Sequence, residues 1–331
     1  MATLNLLTDI EGVAVGHATD LALGSGVTAI VFDKPATASG TVLGGAPGGR
    51  DTALLDPSMT VQTVDAFVLS GGSAFGLDAA GGVQSGLREI GRGFEVGPVR
   101  VPIVPQAILM DLLNGGNKDW GLHSPYRDMG YEAFKAAGQG TFALGTVGAG
   151  TGATTATLKG GLGSASAITP SGHVVAALVA ANALGSVTVG DDPHFWAAPF
   201  EENNEFGGLG LPQNFDNRLR LKGRATPSTT IGVIVTDAVL TKAQAHRLSI
   251  MAHDGLTRAI LPAHLPFDGD TIFSAATGAK PLENPSDFMD ICHLATLVTA
   301  RAIARGIYEA TALPVPNAQL AWRDKFPSPA K

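Results

Sequence analysis

Short apolar runs bounded by glycine recur along the chain, at residues 27–32, 66–69, 174–180 and 231–235. Runs of that length, rich in β-branched residues, predict buried strands. Between them, apolar residues spaced for one face of a helix predict helices over 75–87, 241–260 and 286–308. Thr241 and Gln244 have the spacing of a capping box, which sets the start of the second helix. Strands that are apolar on both faces need cover on both faces, so the pattern predicts an α/β fold with stacked sheets between helical layers. Residues 203–227 break the pattern: Gly, Asn, Arg and Pro dominate, and an exposed loop is expected. Immediately after it the sequence switches to TTIGVIVTD, a run typical of a central strand.

Composition narrows the field of functions. The chain has 331 residues, 45% of them hydrophobic, enough to bury a substantial core. Its 43 glycines exceed the usual ~7%, and only 15% of residues are charged, so tight turns and close layer packing are expected rather than disorder. A net charge of −7 without basic runs gives no footprint for nucleic acid or anionic lipid. Cys292 is the only cysteine, which excludes an intrachain disulfide and reads as a small buried hydrophobe. No apolar stretch is long enough to span a bilayer, and the N-terminus lacks a signal-peptide pattern, so a cytoplasmic protein is expected. The eight histidines show no metal-ligand spacing; residues 44–57 lack the context of a dinucleotide loop, and Lys159 lacks the Ser or Thr that would complete a phosphate-binding loop. Neither metal nor cofactor is expected.

A polar linker that runs into a buried strand beginning with threonine suggests a specific chemistry. Cutting the linker before Thr229 would leave a hydroxyl residue on a rigid edge. An N-terminal threonine carries both nucleophile and general base, because its α-amine titrates near ~7.7 to 8.0 beside its own hydroxyl. The amine must first be released from a peptide bond.

Six segments, in order, then resemble the DmpA-type self-processing aminopeptidases, a family that includes the nylon-oligomer hydrolase NylC. They are LTDIEGVAVGHATD (7–20), VLSGGSAFGLDAAGGV (68–83), GAGTGATTATLKGGLGSAS (148–166), VAALVAANALG (175–185), STTIGVIVTD (228–237) and FDGDTIF (267–273). The resemblance implies a four-layer αββα sandwich of the DmpA and ornithine acetyltransferase type, a single hydrolase domain cut at Ser228–Thr229 into chains 1–228 and 229–331. It also implies Thr229 as nucleophile, Asn182 as donor to the oxyanion, and Lys159 as a cation near the new amine. Asp268 and Asp270, two residues apart, are implied to orient the threonine amine and hydroxyl. Met110 falls where several relatives carry a substrate-site tyrosine, and a thioether donates no hydrogen bond, so polarisation would rest more on Asn182. The segment around Met110 offers no carboxylate for a substrate α-amine except Asp111, which weighs against a strict aminopeptidase and towards apolar linear amides. The implied substrates are small peptides, amino-acid amides or linear amides such as 6-aminohexanoate oligomers, and the implied assembly is a homo-oligomer, a tetramer. Two other readings stand beside this one: acyl transfer of the ornithine acetyltransferase type, and an uncut, non-enzymatic binding protein.

Overall fold

The structure, a computed structural model, describes residues 3–223 and 227–327. The strands are β1 (Val13–Asp20), β2 (Ser25–Val42), β3 (Gly49–Arg50), β4 (Thr63–Ser70), β5 (Phe94–Val96), β6 (Val99–Val101), β7 (Gln106–Ile108), β8 (Gly161–Ile168), β9 (Val174–Asn182), β10 (Thr229–Ala238) and β11 (Thr271–Lys280). The helices are α1 (Ala79–Glu89), α2 (Tyr126–Lys135), α3 (Lys242–Ala259), α4 (Pro285–Tyr308) and the short α5 (Trp322–Lys325).

Nine strands form one hydrogen-bonded sheet in the order β3-β7-β4-β2-β11-β10-β9-β8, with β1 also on β2; β5 and β6 form a separate hairpin. The strand that organises it is β2. Its first half pairs with β1 and β4, and its second half with β11. Between the halves, Asp33, Lys34 and Pro35 are exposed and the register with β4 shifts. At this crease the sheet turns from one leaf to the other, so the two stacked sheets expected from the sequence are two leaves of a single folded sheet.

Alternation along the strands then builds a sandwich with three cores. Ile30 and Phe32 of β2, Phe67 and Leu69 of β4, Ala176 and Leu178 of β9, and Ile231 and Val233 of β10 share the inner core between the leaves. The opposite faces of β2 and β4, through Val27, Ala29, Ala66 and Val68, pack on α1 and α2. The opposite face of β9, through Val175, Ala177 and Val179, packs on α3 and α4. This is the αββα layering, and it explains why the strands are apolar on both sides. Helix α4 lies almost directly on β8: a Cβ on Gly163 would sit 1.9 Å from the Ala302 carbonyl oxygen.

The predicted strands are all present but extend further than their apolar runs. Helix α3 starts as expected, with the Thr241 N–H on the Gln244 side chain at 2.9 Å and the Gln244 N–H on Thr241 Oγ1 at 3.2 Å. The segment 75–87 is not one α-helix. It begins as a 3-10 turn, Ser73–Asp78, and becomes α-helical only at Ala79. Gly76 explains the tight turn, since a Cβ there would lie 1.9 Å from the Gly71 carbonyl oxygen. The linker 203–227 forms no strand or helix over its described residues, but it is not wholly exposed: Phe206 is buried against Phe195. Residues 224–226 of that linker lie outside the described residues. Among the described residues no helix is long and apolar enough to cross a membrane.

Candidate active site

The sheet order brings three strand ends together. Antiparallel pairing of β9 and β10 sets Asn182, the last residue of β9, opposite Thr229, the first of β10. Parallel pairing of β10 and β11 places the turn before β11 beside the same point, and Ser228 bridges to Asp268 there. Ser228, Thr229, Asn182, Lys159, Asp268 and Asp270 are all buried.

The Ser228–Thr229 peptide is held from both sides. Thr229 Oγ1 donates to the Ser228 carbonyl oxygen at 2.6 Å, and the Gly269 N–H donates to the same oxygen at 2.8 Å. The Ser228 N–H donates to Phe267 O at 3.1 Å. The carbonyl that would have to be attacked to free Thr229 thus has its nucleophile adjacent and a backbone donor on its oxygen, the arrangement that stabilises a developing oxyanion.

The two carboxylates act at one remove from the hydroxyl. Asp270 accepts the Thr230 N–H at 2.8 Å on one oxygen, and the His264 N–H at 3.0 Å with His264 Nδ1 at 2.8 Å on the other. Asp268 accepts the Leu184 N–H and the Leu265 N–H, each at 3.2 Å. Burial, reinforced by the charge of Asp270, raises the pKa of Asp268. Both residues precede β11 rather than lying in it, and their hydrogen bonds fix the backbone around Thr229 instead of contacting its hydroxyl.

Asn182 is the last residue of β9 rather than a turn residue after it. Its Oδ1 accepts the Thr154 N–H at 3.0 Å and the Lys222 ammonium at 2.9 Å, while Nδ2 donates to the Met110 carbonyl at 3.1 Å. Lys159 is held by the carbonyls of Gly150 and Gly160 at 3.0 and 2.9 Å. Its burial, opposed by the charge of Asp111 and aided by that of Lys222, pushes its pKa down to about 7.

Lys159 and Lys222 border a cleft of about 480 Å³, within the usual range for small-molecule sites, while Asn182, Thr229, Asp268 and Asp270 lie behind its lining. Met110, Asp111, Thr154, Lys159 and Lys222 line it together with apolar Leu113, Leu313 and Pro316. Met110 therefore faces the cleft, and its carbonyl is what meets Asn182. Asp111 is less available to a substrate amine than its position suggests, because Ser25 Oγ and the Gly72 N–H already bind its two oxygens at 2.6 and 2.8 Å. Burial raises its pKa.

The pattern of Peptidase family S58 matches residues 5–320 of this chain. The chain belongs to that family. A Mycobacterium tuberculosis protein described as an uncharacterized aminopeptidase is 40% identical over 353 residues, covering 98% of each chain. The 6-aminohexanoate-oligomer endohydrolase of Kocuria sp. is 26% identical, over 81% of this S58 peptidase and 74% of that enzyme. Among solved structures, a Burkholderia sp. beta-aminopeptidase superimposes with a TM-score of 0.72 at 22% identity, over 98% of this chain and 92% of that one. The L-aminopeptidase D-Ala-esterase/amidase of Ochrobactrum anthropi, described as a variant of the Ntn hydrolase fold, gives 0.71 at 18% identity, over 97% and 91%. This S58 peptidase shares the fold of those two structures, and its family makes it a peptidase.

Two residues of the site had no signal in the sequence. Lys222 stands in the polar linker beside Arg218 and Arg220, and nothing in its neighbourhood sets it apart. His264 is one of eight histidines without spacing to any partner. Lys222 acquires its place from a tertiary contact with Asn182, and His264 from the turn that it shares with Asp270.

Proposed function

We propose that this S58 peptidase cuts itself between Ser228 and Thr229, and that the new N-terminal threonine hydrolyses amide bonds of small peptides, amino-acid amides or linear amides. The observation that carries this reading is the Ser228 carbonyl, shared by the Thr229 hydroxyl and the Gly269 N–H. In the maturation step Thr229 Oγ bonds to the Ser228 carbonyl carbon and the C–N bond breaks. The Thr229 nitrogen keeps the hydroxyl proton and leaves as an amine. Water then hydrolyses the Ser228–Thr229 ester, giving a Ser228 carboxylate and a free hydroxyl.

In turnover the α-amine takes the hydroxyl proton, the oxygen attacks the substrate carbonyl, and the departing amine recovers the proton; water, losing a proton to the same α-amine, then attacks the acyl-Thr229 ester, releasing the carboxylic acid and restoring the hydroxyl. Asn182 Nδ2 has a second proton beyond the one on Met110, and this donor serves the oxyanion. A neutral amine is needed as base, and the protonated fraction of Lys159, whose own pKa burial lowers to about 7, favours that form. The 40% identity to a protein described as an aminopeptidase, against 26% to an endohydrolase, supports short substrates cleaved near their N-terminus.

Intact mass and N-terminal sequencing of the purified protein test the cut: the expected fragment begins Thr229-Thr230-Ile231. A full-length chain that nonetheless hydrolyses amides would exclude the mechanism. A panel of dipeptides, amino-acid anilides and 6-aminohexanoate oligomers, with acetylornithine as an acyl donor, then assigns the substrate class and separates hydrolysis from acyl transfer.

A further inference from the structure

The carboxamide of Asn182 has two possible faces, and only one directs N–H groups at a developing oxyanion. In this chain two donors on Oδ1 settle the face, the Thr154 N–H at 3.0 Å and the Lys222 ammonium at 2.9 Å. Nδ2 is left to donate, with one proton on Met110 O. The ammonium also reaches the main-chain oxygen of Asn182 at 3.4 Å, so it clamps side chain and backbone of the same residue. Lys222 forms no ion pair among the described residues.

Lys222 is anchored independently of the Ser228–Thr229 bond. Its own N–H donates to the Leu184 carbonyl at 2.9 Å, and the Leu184 N–H in turn is held by Asp268. Breaking the chain after Ser228 removes neither contact. A lysine placed to hold a substrate would keep its donors for the cleft, whereas two directions of this ammonium are committed to one asparagine. A donor held on Oδ1 also polarises the amide and strengthens its N–H as a donor, the more so while Lys222 is protonated. Burial lowers the pKa of Lys222 to about 7, against the pull of Asp268 and Asp111.

We infer that Lys222 is a positioning residue: its ammonium holds Asn182 Oδ1 so that Nδ2–H stays aimed at the reacting carbonyl, in the mature enzyme as in the uncut chain. The inference rests on the proposed roles of Thr229 and Asn182.

The test uses the full-length chain carrying Lys222→Ala, with turnover of an amino-acid anilide normalised to the mature fraction counted by intact mass. The expected result is a kcat lower by about 10- to 100-fold, below the ~10² to 10³ typical of losing an oxyanion donor outright, with KM within about threefold. Added ethylammonium restores part of that kcat, and tetraethylammonium, which has no N–H, does not. If the variant does not mature, the same rescue is read on release of the fragment that begins at Thr229. A kcat near wild type, a loss confined to KM, or no response to ethylammonium overturns the inference. Thr229→Ala run in parallel separates the two levels. Turnover surviving in Thr229→Ala removes the underlying mechanism, and with it this inference, whereas a dead Thr229→Ala beside an unimpaired Lys222→Ala removes only the role of Lys222.

Discussion

Replacing Gly269 by alanine sets a carbon atom 2.6 Å from Thr229 Oγ1, 2.7 Å from the Ala46 carbonyl oxygen and 3.2 Å from Pro47 Cα. Ordinary contact begins at 3.4 Å, so the worst overlap is about 0.8 Å, the size of overpacking that costs ~1–3 kcal/mol. The Ala46 oxygen cannot yield easily, because that segment is pinned by the Ala46 N–H on the Asp268 carbonyl at 2.7 Å. Relief must come from the Thr229 side chain or from the turn that carries Gly269. If the hydroxyl rotates, it leaves the Ser228 carbonyl; if the turn withdraws, the Gly269 N–H does. Misplacing reacting groups by about 1 Å typically costs ~10² in rate. Gly269→Ala is therefore expected to slow self-cleavage by about 10²-fold or more, with a melting temperature lowered by only the overpacking cost. A time course of intact mass after purification follows the cleavage, and thermal denaturation follows the fold. Gly138→Ala is the control, since a Cβ there meets nothing within 4 Å. A folded Gly269→Ala protein that matures at the wild-type rate would exclude a part for this turn in the cleavage.

Thr229→Ala is expected to abolish both processing and hydrolysis, whereas Cys292→Ala leaves turnover within a few-fold, because burial pushes the Cys292 thiol up to about 11 and away from reactivity; thiol-reagent inactivation of the wild type would contradict this. Asn182→Ala should lower kcat of the matured fraction by ~10² or more with little change in KM, and a loss of thermal stability with kcat intact would demote Asn182 to a structural role. His253 is fully buried and its pKa is held down to about 4 by burial, against an ordinary 6.5. The unfolded chain therefore takes up this proton first, so the stability is complete above pH 6.5 and is lost as pH falls toward 4, by up to about 3 kcal/mol. Urea midpoints of wild type and His253→Gln across that window should converge at acid pH, and parallel curves would exclude the assignment.

What the sequence revealed depended on whether a residue's role is local. The apolar runs of β9 and β10 and the Thr241–Gln244 cap are local features, and they appear where the pattern places them. As candidates, Thr229 stood out by its position between a polar linker and a β-branched strand only once the family resemblance was added, and Asn182 through that resemblance alone. The crease in β2 was not legible, since Asp33, Lys34 and Pro35 read as the end of a strand when they are an exposed bend within one. For the carboxylate pair the sequence offers a spacing of two and the family resemblance, but not the hydrogen bonds, in which both residues precede β11 and serve backbone N–H groups on neighbouring segments. Lys222 meets the site through Asn182, 40 residues away in sequence, which no spacing rule encodes, whereas His264 reaches Asp270 within the turn they share, 6 residues apart.

The position of β10 and β11 in the sheet gives the proposed cut an irreversible character. These two strands belong to the segment after Thr229, yet they lie between β9 and β2, which belong to the segment before it, and are laddered to both. Severing the Ser228–Thr229 bond releases nothing, because the second segment is interleaved with the first. Before the cut, folding is a one-chain process; after it, any molecule that unfolds becomes two chains that must find each other, one of them exposing strand edges on both sides. The mature protein's endurance is then governed by how slowly it opens rather than by how readily it refolds. With the proposed cut, the sandwich would be assembled once, while the chain is whole, and maturation would remove the route back.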